Sequence, residues 1–216
     1  MTDFSRRPIA SRNSGWAGRA ARWLAGTDVT PNQISLASVG CAGLAFLAFW
    51  ASAHTAALPR AVLLLLAAAG CQMRLICNLL DGMVAIEGGK KSADGPFWNE
   101  APDRAADILI LVGLGLAAGA PGHGWAAATL AVLTAYVREL GRAEGLGADF
   151  GGPFAKPQRM ALVTGAAVLG IVWPHLLIWA LALLIVGTAL TAGLRARRLV
   201  LGLRQRGGGV ETGSTD

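Results

Sequence analysis

The chain has 216 residues, of which 54% are hydrophobic and only 15% charged, and its mean hydropathy is +0.50. A soluble domain carries about 25% charged residues, so this composition excludes an ordinary water-soluble globule and points to a lipid bilayer. The formal net charge of +6 would suggest a nucleic-acid partner in a soluble protein, but membrane topology and anionic headgroups account for it here.

In chain order, residues 11–24 come first. Trp16, Ala20, Trp23 and Leu24 share one helical face with arginines alongside, which predicts an amphipathic helix lying at the membrane interface. Spanning a bilayer takes roughly 20 mostly apolar residues. Six stretches are candidates: 33–53, 61–85, 108–120, 125–137, 160–173 and 176–194. The third reaches membrane length if its helix begins near Phe97, and the fourth if it runs on to about Glu144. Pro121-Gly122 and Pro174 separate neighbouring spans. The first apolar run begins only near Ile34 and is long enough to remain in the membrane, so no cleavable signal peptide is expected. The reading is an all-α, polytopic membrane protein with six transmembrane helices plus the interfacial helix. It divides into an N-terminal segment (1–30), a membrane domain (31–198) and a disordered tail (199–216), whose Gly207 to Asp216 portion is rich in Gly, Ser and Thr.

Basic residues orient the chain. Six spans put both ends on one side, with Arg6, Arg7, Arg12, Arg19 and Arg22 at the start and Arg195, Arg197, Arg198, Arg204 and Arg206 at the finish. Lys90, Lys91, Arg142, Lys156 and Arg159 fall on the same, cytoplasmic side, and Arg60 alone falls opposite. Trp50, Trp125, Trp173 and Trp179 mark the outer interface. Cys41, Cys71 and Cys77 sit inside apolar runs, where buried packing is their expected role.

Six of the thirteen acidic residues lie between Asp81 and Asp107. Glu87, Asp94 and Glu100 fit a solvated loop, but Asp81 and Asp107 are continuous with transmembrane runs. A charge at the bilayer centre costs about 2.5–3.5 kcal/mol on insertion scales, so acids in such settings face a polar cavity and serve a function. Asn78 and Asp81 are three residues apart, Asp103 and Asp107 four, so each pair shares a helical face. The second and third spans, joined by a short loop, are expected to pack as antiparallel neighbours and to bring the four residues together. Three carboxylates in a low-dielectric site stay ionised only if cations compensate them, and oxygen donors select Mg²⁺, Mn²⁺ or Ca²⁺. A pair of metal ions about 4 Å apart is a common arrangement for displacement at phosphorus.

The run Asn78-x-x-Asp81-Gly82-x-x-Ala85, followed by Asn99-x-x-x-Asp103-x-x-x-Asp107, resembles the signature of the CDP-alcohol phosphatidyltransferase family. That signature reads Asp-x-x-Asp-Gly-x-x-Ala-Arg, then Gly-x-x-x-Asp-x-x-x-Asp. Thr30-Pro31-Asn32 resembles the motif that opens the family's first membrane helix. The chain departs from the pattern at Asn78, Ile86 and Asn99, which stand where Asp, Arg and Gly are expected. Asn78 can ligate a metal without adding charge, and Arg74, one turn earlier, is a candidate to replace the missing arginine.

The resemblance implies metal-dependent transfer of a phosphatidyl group from CDP-diacylglycerol to an alcohol, with release of CMP, in phospholipid biosynthesis in a bacterial cytoplasmic membrane. Asn78, Asp81, Asp103 and Asp107 would hold Mg²⁺ or Mn²⁺, as two ions, with Asp107 as general base. Thr30, Asn32, Gly82 and Ala85 would meet the CDP donor. Arg138, Arg142, Lys156 and Arg159 would bind an acceptor phosphate, as in phosphatidylglycerophosphate or phosphatidylinositol-phosphate synthases, with glycerol 3-phosphate a fitting acceptor. A homodimer is expected and nucleic acid is not. CDP-lipid hydrolysis and a catalytically impaired relative are the alternatives.

Overall fold

The computed structural model describes residues 14–210; Arg6, Arg7, Arg12 and the last six residues lie outside the described residues. The architecture is all helical: α1 (Gly15–Ala25), α2 (Pro31–Ser52), α3 (Ala57–Glu87), α4 (Gly95–Ala117), α5 (Pro121–Ala143), α6 (Lys156–Leu169) and α7 (Leu176–Val210). Among the described residues there are no strands. Among the described residues three helices, Pro31–Ser52, Ala57–Glu87 and Leu176–Arg206, are long and apolar enough to cross a membrane. The 23-residue α4 and α5 have comparable length but carry charged residues near one end, including Asp103 and Asp107 on α4 and Arg138 and Arg142 on α5. The 14-residue α6 is about 21 Å long at 1.5 Å per residue, because the chain enters it only after Gly151, Gly152 and Pro153 and leaves it at Gly170.

Helix ends follow local chemistry. Thr30 caps α2 in a reciprocal box with Gln33: its hydroxyl accepts from Gln33 N–H at 3.2 Å, and its own N–H donates to Gln33 Oε1 at 2.9 Å. Proline stands in the first turn of α2, α4, α5 and α6, where its missing donor would be unpaired anyway. Gly119 (φ +68°) ends α4 and Gly145 (φ +72°) ends α5 in the left-handed conformation. Arg206 on α7 then donates to the carbonyls of Glu144 and Gly145, at 2.5 and 2.6 Å, covering the end of α5. The helix α7 runs on past residue 198 to Val210, so the tail expected from residue 199 does not begin there. Its continuation is packed: Leu199 lies beside Gly141, and Leu146 beside Gly202.

The central helix is α2, which packs on both α3 and α4; α4 packs on α5, α5 on α7, and α6 fills the space between α3 and α7. The expected direct pairing of α3 with α4 is sparse, because α2 stands between them for most of their length. Phe49, Leu64, Ile110, Leu111, Leu114, Met160 and Leu184 form the core. Toward one end small residues let backbones meet: a Cβ on Gly115 would lie 2.7 Å from Gly124 Cα, and one on Gly113 would lie 3.0 Å from Phe46 Cα. Large apolar side chains such as Leu44, Leu65, Trp173, Trp179 and Val186 face outward, as a lipid-facing surface requires. The amphipathic α1 buries Ala17 and Ala21 against Leu79, Leu80, Met83 and Val84, while Trp16 and Trp23 stay exposed.

Candidate active site

At the end opposite the Gly115–Gly124 contact the helices part around a cavity of about 430 Å³. Asn78, Asp81, Gly82, Ala85 and Ile86 come to it from α3, Asn99, Glu100 and Asp103 from α4, and Arg138, Glu139 and Arg142 from α5. Asn32 and Ser35 border it from α2, and Lys156 from the start of α6. Each pair that sequence spacing put on one helical face therefore contributes to this end of the bundle, but the four metal-binding candidates divide. Asn78, Asp81 and Asp103 line the cavity; Asp107 does not.

Asp107 is 1% exposed and lies behind the cavity wall, where both of its oxygens are taken by guanidinium groups. Arg74 Nη2 donates to Oδ1 at 2.8 Å and Arg159 Nη2 to Oδ2 at 3.1 Å. The same Arg74 nitrogen donates to Asp103 Oδ1 at 3.1 Å and to the Asp103 carbonyl at 3.2 Å. Lys156 Nζ donates to Asn78 Oδ1 at 2.6 Å and also to Asp103 Oδ2. Asp81 differs from the other two acids. It accepts from Ser35 Oγ at 2.7 Å and from the Gly82 N–H at 2.5 Å, and no cation lies within ion-pair distance among the described residues.

Of the three carboxylates expected to converge, Asp81 and Asp103 line the cavity and Asp107 lies behind it. Among the described residues, no three acidic, His or Cys side chains gather closely enough to hold a metal ion by themselves. Buried carboxylates need cations, and here side chains supply them: Arg74, Arg104, Lys156 and Arg159 balance charge at Asp103 and Asp107. Arg74, fully buried, is turned toward these acids and does not line the cavity, so it does not replace the arginine missing at Ile86. Its Nε and Nη1 are buried without a partner, as is Nε of Arg159.

The donor-binding candidates line the cavity except for Thr30, whose hydroxyl is engaged as the cap of α2. The acceptor candidates Arg138, Arg142 and Lys156 line it too, and Arg159 does not. Arg138 is held between two acids, with Nε on Glu139 at 2.8 Å and Nη2 on Glu100 at 2.5 Å, and its guanidinium lies 5.2 Å from the centre of the Phe150 ring. Arg142 reaches Glu139 at 3.6 Å. Glu100, expected as a solvated loop acid, instead bridges α4 to α5 through Arg138 and also meets Arg104 at 3.4 Å. Beside the cavity mouth, hydrogen bonds from Ser92 and Trp98 hold the Asp94 carboxyl below the usual carboxylate range.

No protein-family profile matches the sequence, and no curated protein sequence gives a significant match. Solved structures do match. The Mycobacterium tuberculosis phosphatidylinositol phosphate synthase, solved with CDP-DAG bound, superposes with a TM-score of 0.73 at 20% identity, over 86% of this chain and 94% of that one. The chain has the fold of that synthase. The same synthase in complex with manganese and citrate gives 0.72 at 20% identity over 85% and 88%, and its apo form gives 0.67 at 19% over 83% and 93%.

Within this synthase fold, three residues were not singled out by sequence reasoning. Ser35, one turn after Pro31, orients Asp81; its signal was its place just after the Thr30-Pro31-Asn32 run. Glu100 anchors Arg138. Arg195, counted only as a topology marker, is 5% exposed and ties α7 to the Gly151 carbonyl and to the Thr134 carbonyl, each at 2.9 Å. With Arg138 and Arg198 it borders a second cavity of about 540 Å³ between α5 and α7.

Proposed function

We propose that this chain is a CDP-alcohol phosphatidyltransferase. It would cross a bacterial cytoplasmic membrane six times, with both ends and the cavity on the cytoplasmic side and α1 on the membrane surface. The reading is carried by one observation. A cavity lined by Asn78, Asp81, Gly82 and Ala85 on α3 and by Asn99 and Asp103 on α4 opens at the polar end of an apolar bundle, in a fold shared with a synthase that binds CDP-DAG.

In the proposed reaction the acceptor hydroxyl oxygen attacks the phosphorus that carries the diacylglycerol. A new P–O bond forms, and the bond from that phosphorus to the bridging oxygen breaks. CMP leaves with the bonding electrons, and the hydroxyl proton passes to a base. Gly82 and Ala85 carry too little side chain to fill the cavity beside Asp81, which leaves the α3 backbone open to a nucleotide. Asn32 and Ser92 border the same region. Arg138 and Arg142 on α5, with Lys156 at the start of α6, support a phosphorylated acceptor such as glycerol 3-phosphate. Such a phosphate would compete with Glu100 and Glu139 for Arg138.

The amide oxygen of Asn78 and the carboxylates of Asp81 and Asp103 form a hard-oxygen donor set facing one space, which suits Mg²⁺ or Mn²⁺. A divalent cation held there would neutralise the diphosphate oxygens of the donor. Asp107, with both oxygens engaged and no face on the cavity, serves in this reading as a positioning residue for Arg74 and Arg159 rather than as the base.

The test is CMP release by the purified protein in detergent with CDP-diacylglycerol and Mg²⁺ or Mn²⁺. Glycerol 3-phosphate, inositol phosphate, inositol, serine and no acceptor are compared, beside Asp81→Asn. Release that requires one acceptor and vanishes in the variant supports the transferase. Release without acceptor makes the protein a hydrolase, and no release from folded protein makes it an impaired relative.

A further inference from the structure

The charge pattern around the acids separates two places for a cation, and only one of them is open to solution. Asn78 Oδ1 and Asp103 Oδ2 are bridged by the Lys156 ammonium, and Arg104 Nη2 reaches the same Asp103 oxygen from the side at a longer 3.4 Å. Asp81 lies on the same cavity with no cation of its own among the described residues. Lys156 sits on a flexible stem, so it can withdraw when a stronger cation arrives. The second place lies between Asp103 and Asp107. There the cation is a guanidinium: Arg74 Nη2 contacts both acids at 3.1 and 2.8 Å, from a residue with no exposed surface. Arg159 occupies the remaining oxygen of Asp107. Arg74 is held on α3 one turn before Asn78, and a withdrawn guanidinium would have to remain charged within an apolar bundle. The exchange that is open to Lys156 is therefore closed to Arg74.

From this arrangement we infer that the site takes one divalent cation, held by Asn78, Asp81 and Asp103 in the place of the Lys156 ammonium, and that the Arg74 guanidinium permanently fills the position a second ion would need. The inference rests on reading this cavity as the phosphatidyl-transfer site, and it replaces the pair of ions expected from the sequence.

The measurement is a count of bound Mn²⁺ on the full-length protein in detergent, without nucleotide, by the loss of the free-ion electron paramagnetic resonance signal and by equilibrium dialysis. One Mn²⁺ per chain is expected. Asn78→Asp is expected to tighten that ion about tenfold or more, since ligand charge sets affinity, while the count stays at one. Asn78→Asp combined with Arg74→Met is expected to bind two. Helical circular dichroism and a monodisperse elution profile establish that each variant is folded. Two ions or none in the wild type would overturn the inference, as would a count of one in the folded double variant. If the double variant fails to fold, Asn78→Asp alone decides: two ions there overturn the inference and one tighter ion supports it. Because the count needs no turnover, a protein that binds one ion yet releases no CMP would defeat the transferase reading and leave the stoichiometry standing.

Discussion

At one end of the bundle the helices touch backbone to backbone, Gly115 against Gly124 and Gly113 against Phe46. At the other they stand apart around a cavity and are joined by long charged side chains, Arg74 from α3 to α4, Lys156 and Arg159 from α6 to α4. Where the backbones meet at the first end no charged side chain intervenes, and the contact needs only close fit. The second cannot close, because carboxylates facing a cavity must keep access to solvent or to a cation. Cohesion at the two ends is therefore of different kinds: dispersion between small residues at one, and ion pairs reaching across a gap at the other.

The comparison is broken most severely at Arg74. Arg74→Met leaves Asp103 and Asp107 short of a buried partner and is expected to cost about 3–5 kcal/mol, seen as a large fall in the detergent melting temperature. A fall no greater than that of a surface variant would mean that the ion pairs do not hold the open end. Asp81→Asn sharpens the contrast, since Asp81 is bonded by Ser35 and a backbone N–H rather than by a cation. It is expected to lower CMP release by about 100-fold or more with little change in melting temperature. Gly115→Val acts at the opposite end. The added methyls overlap Gly124 and should cost about 1–3 kcal/mol while KM for the CDP-lipid stays unchanged; a raised KM would show the two ends to be coupled. The smallest effect is expected from Thr30→Ala, which removes the cap of α2 at about 1 kcal/mol, read from the same melting curve.

Helix positions were legible because each depends on a run of neighbours. The apolar stretch at 33–53 overruns α2 by one residue and that at 176–194 falls within α7, and Asp81 and Asp103 reach the cavity as their spacing required. What the sequence could not give was the partner across space. Arg74 lies 33 residues from Asp107, and Arg159 lies 52 from it. Spacing fixes the face of a helix, yet not which helix that face meets. The interposition of α2 between α3 and α4 was hidden for the same reason. Lys156 and Arg159 read as cations awaiting a phosphate, because nothing local in their segment revealed that Asp103 and Asp107 were already opposite them.

The prolines that open α2, α4, α5 and α6 bear on how the site finds its depth. A proline disfavours helical geometry in the residue before it, and Thr30, before Pro31, is extended, so α2 has a fixed first residue and cannot gain a turn by winding further back. In α4 and α6 the proline stands second, after Gly95 and Lys156. Ser35 stands four residues after Pro31, so the level at which it meets Asp81 is written into the covalent chain as a ruler with its zero at that proline, independent of lipid thickness or of any ligand that later enters.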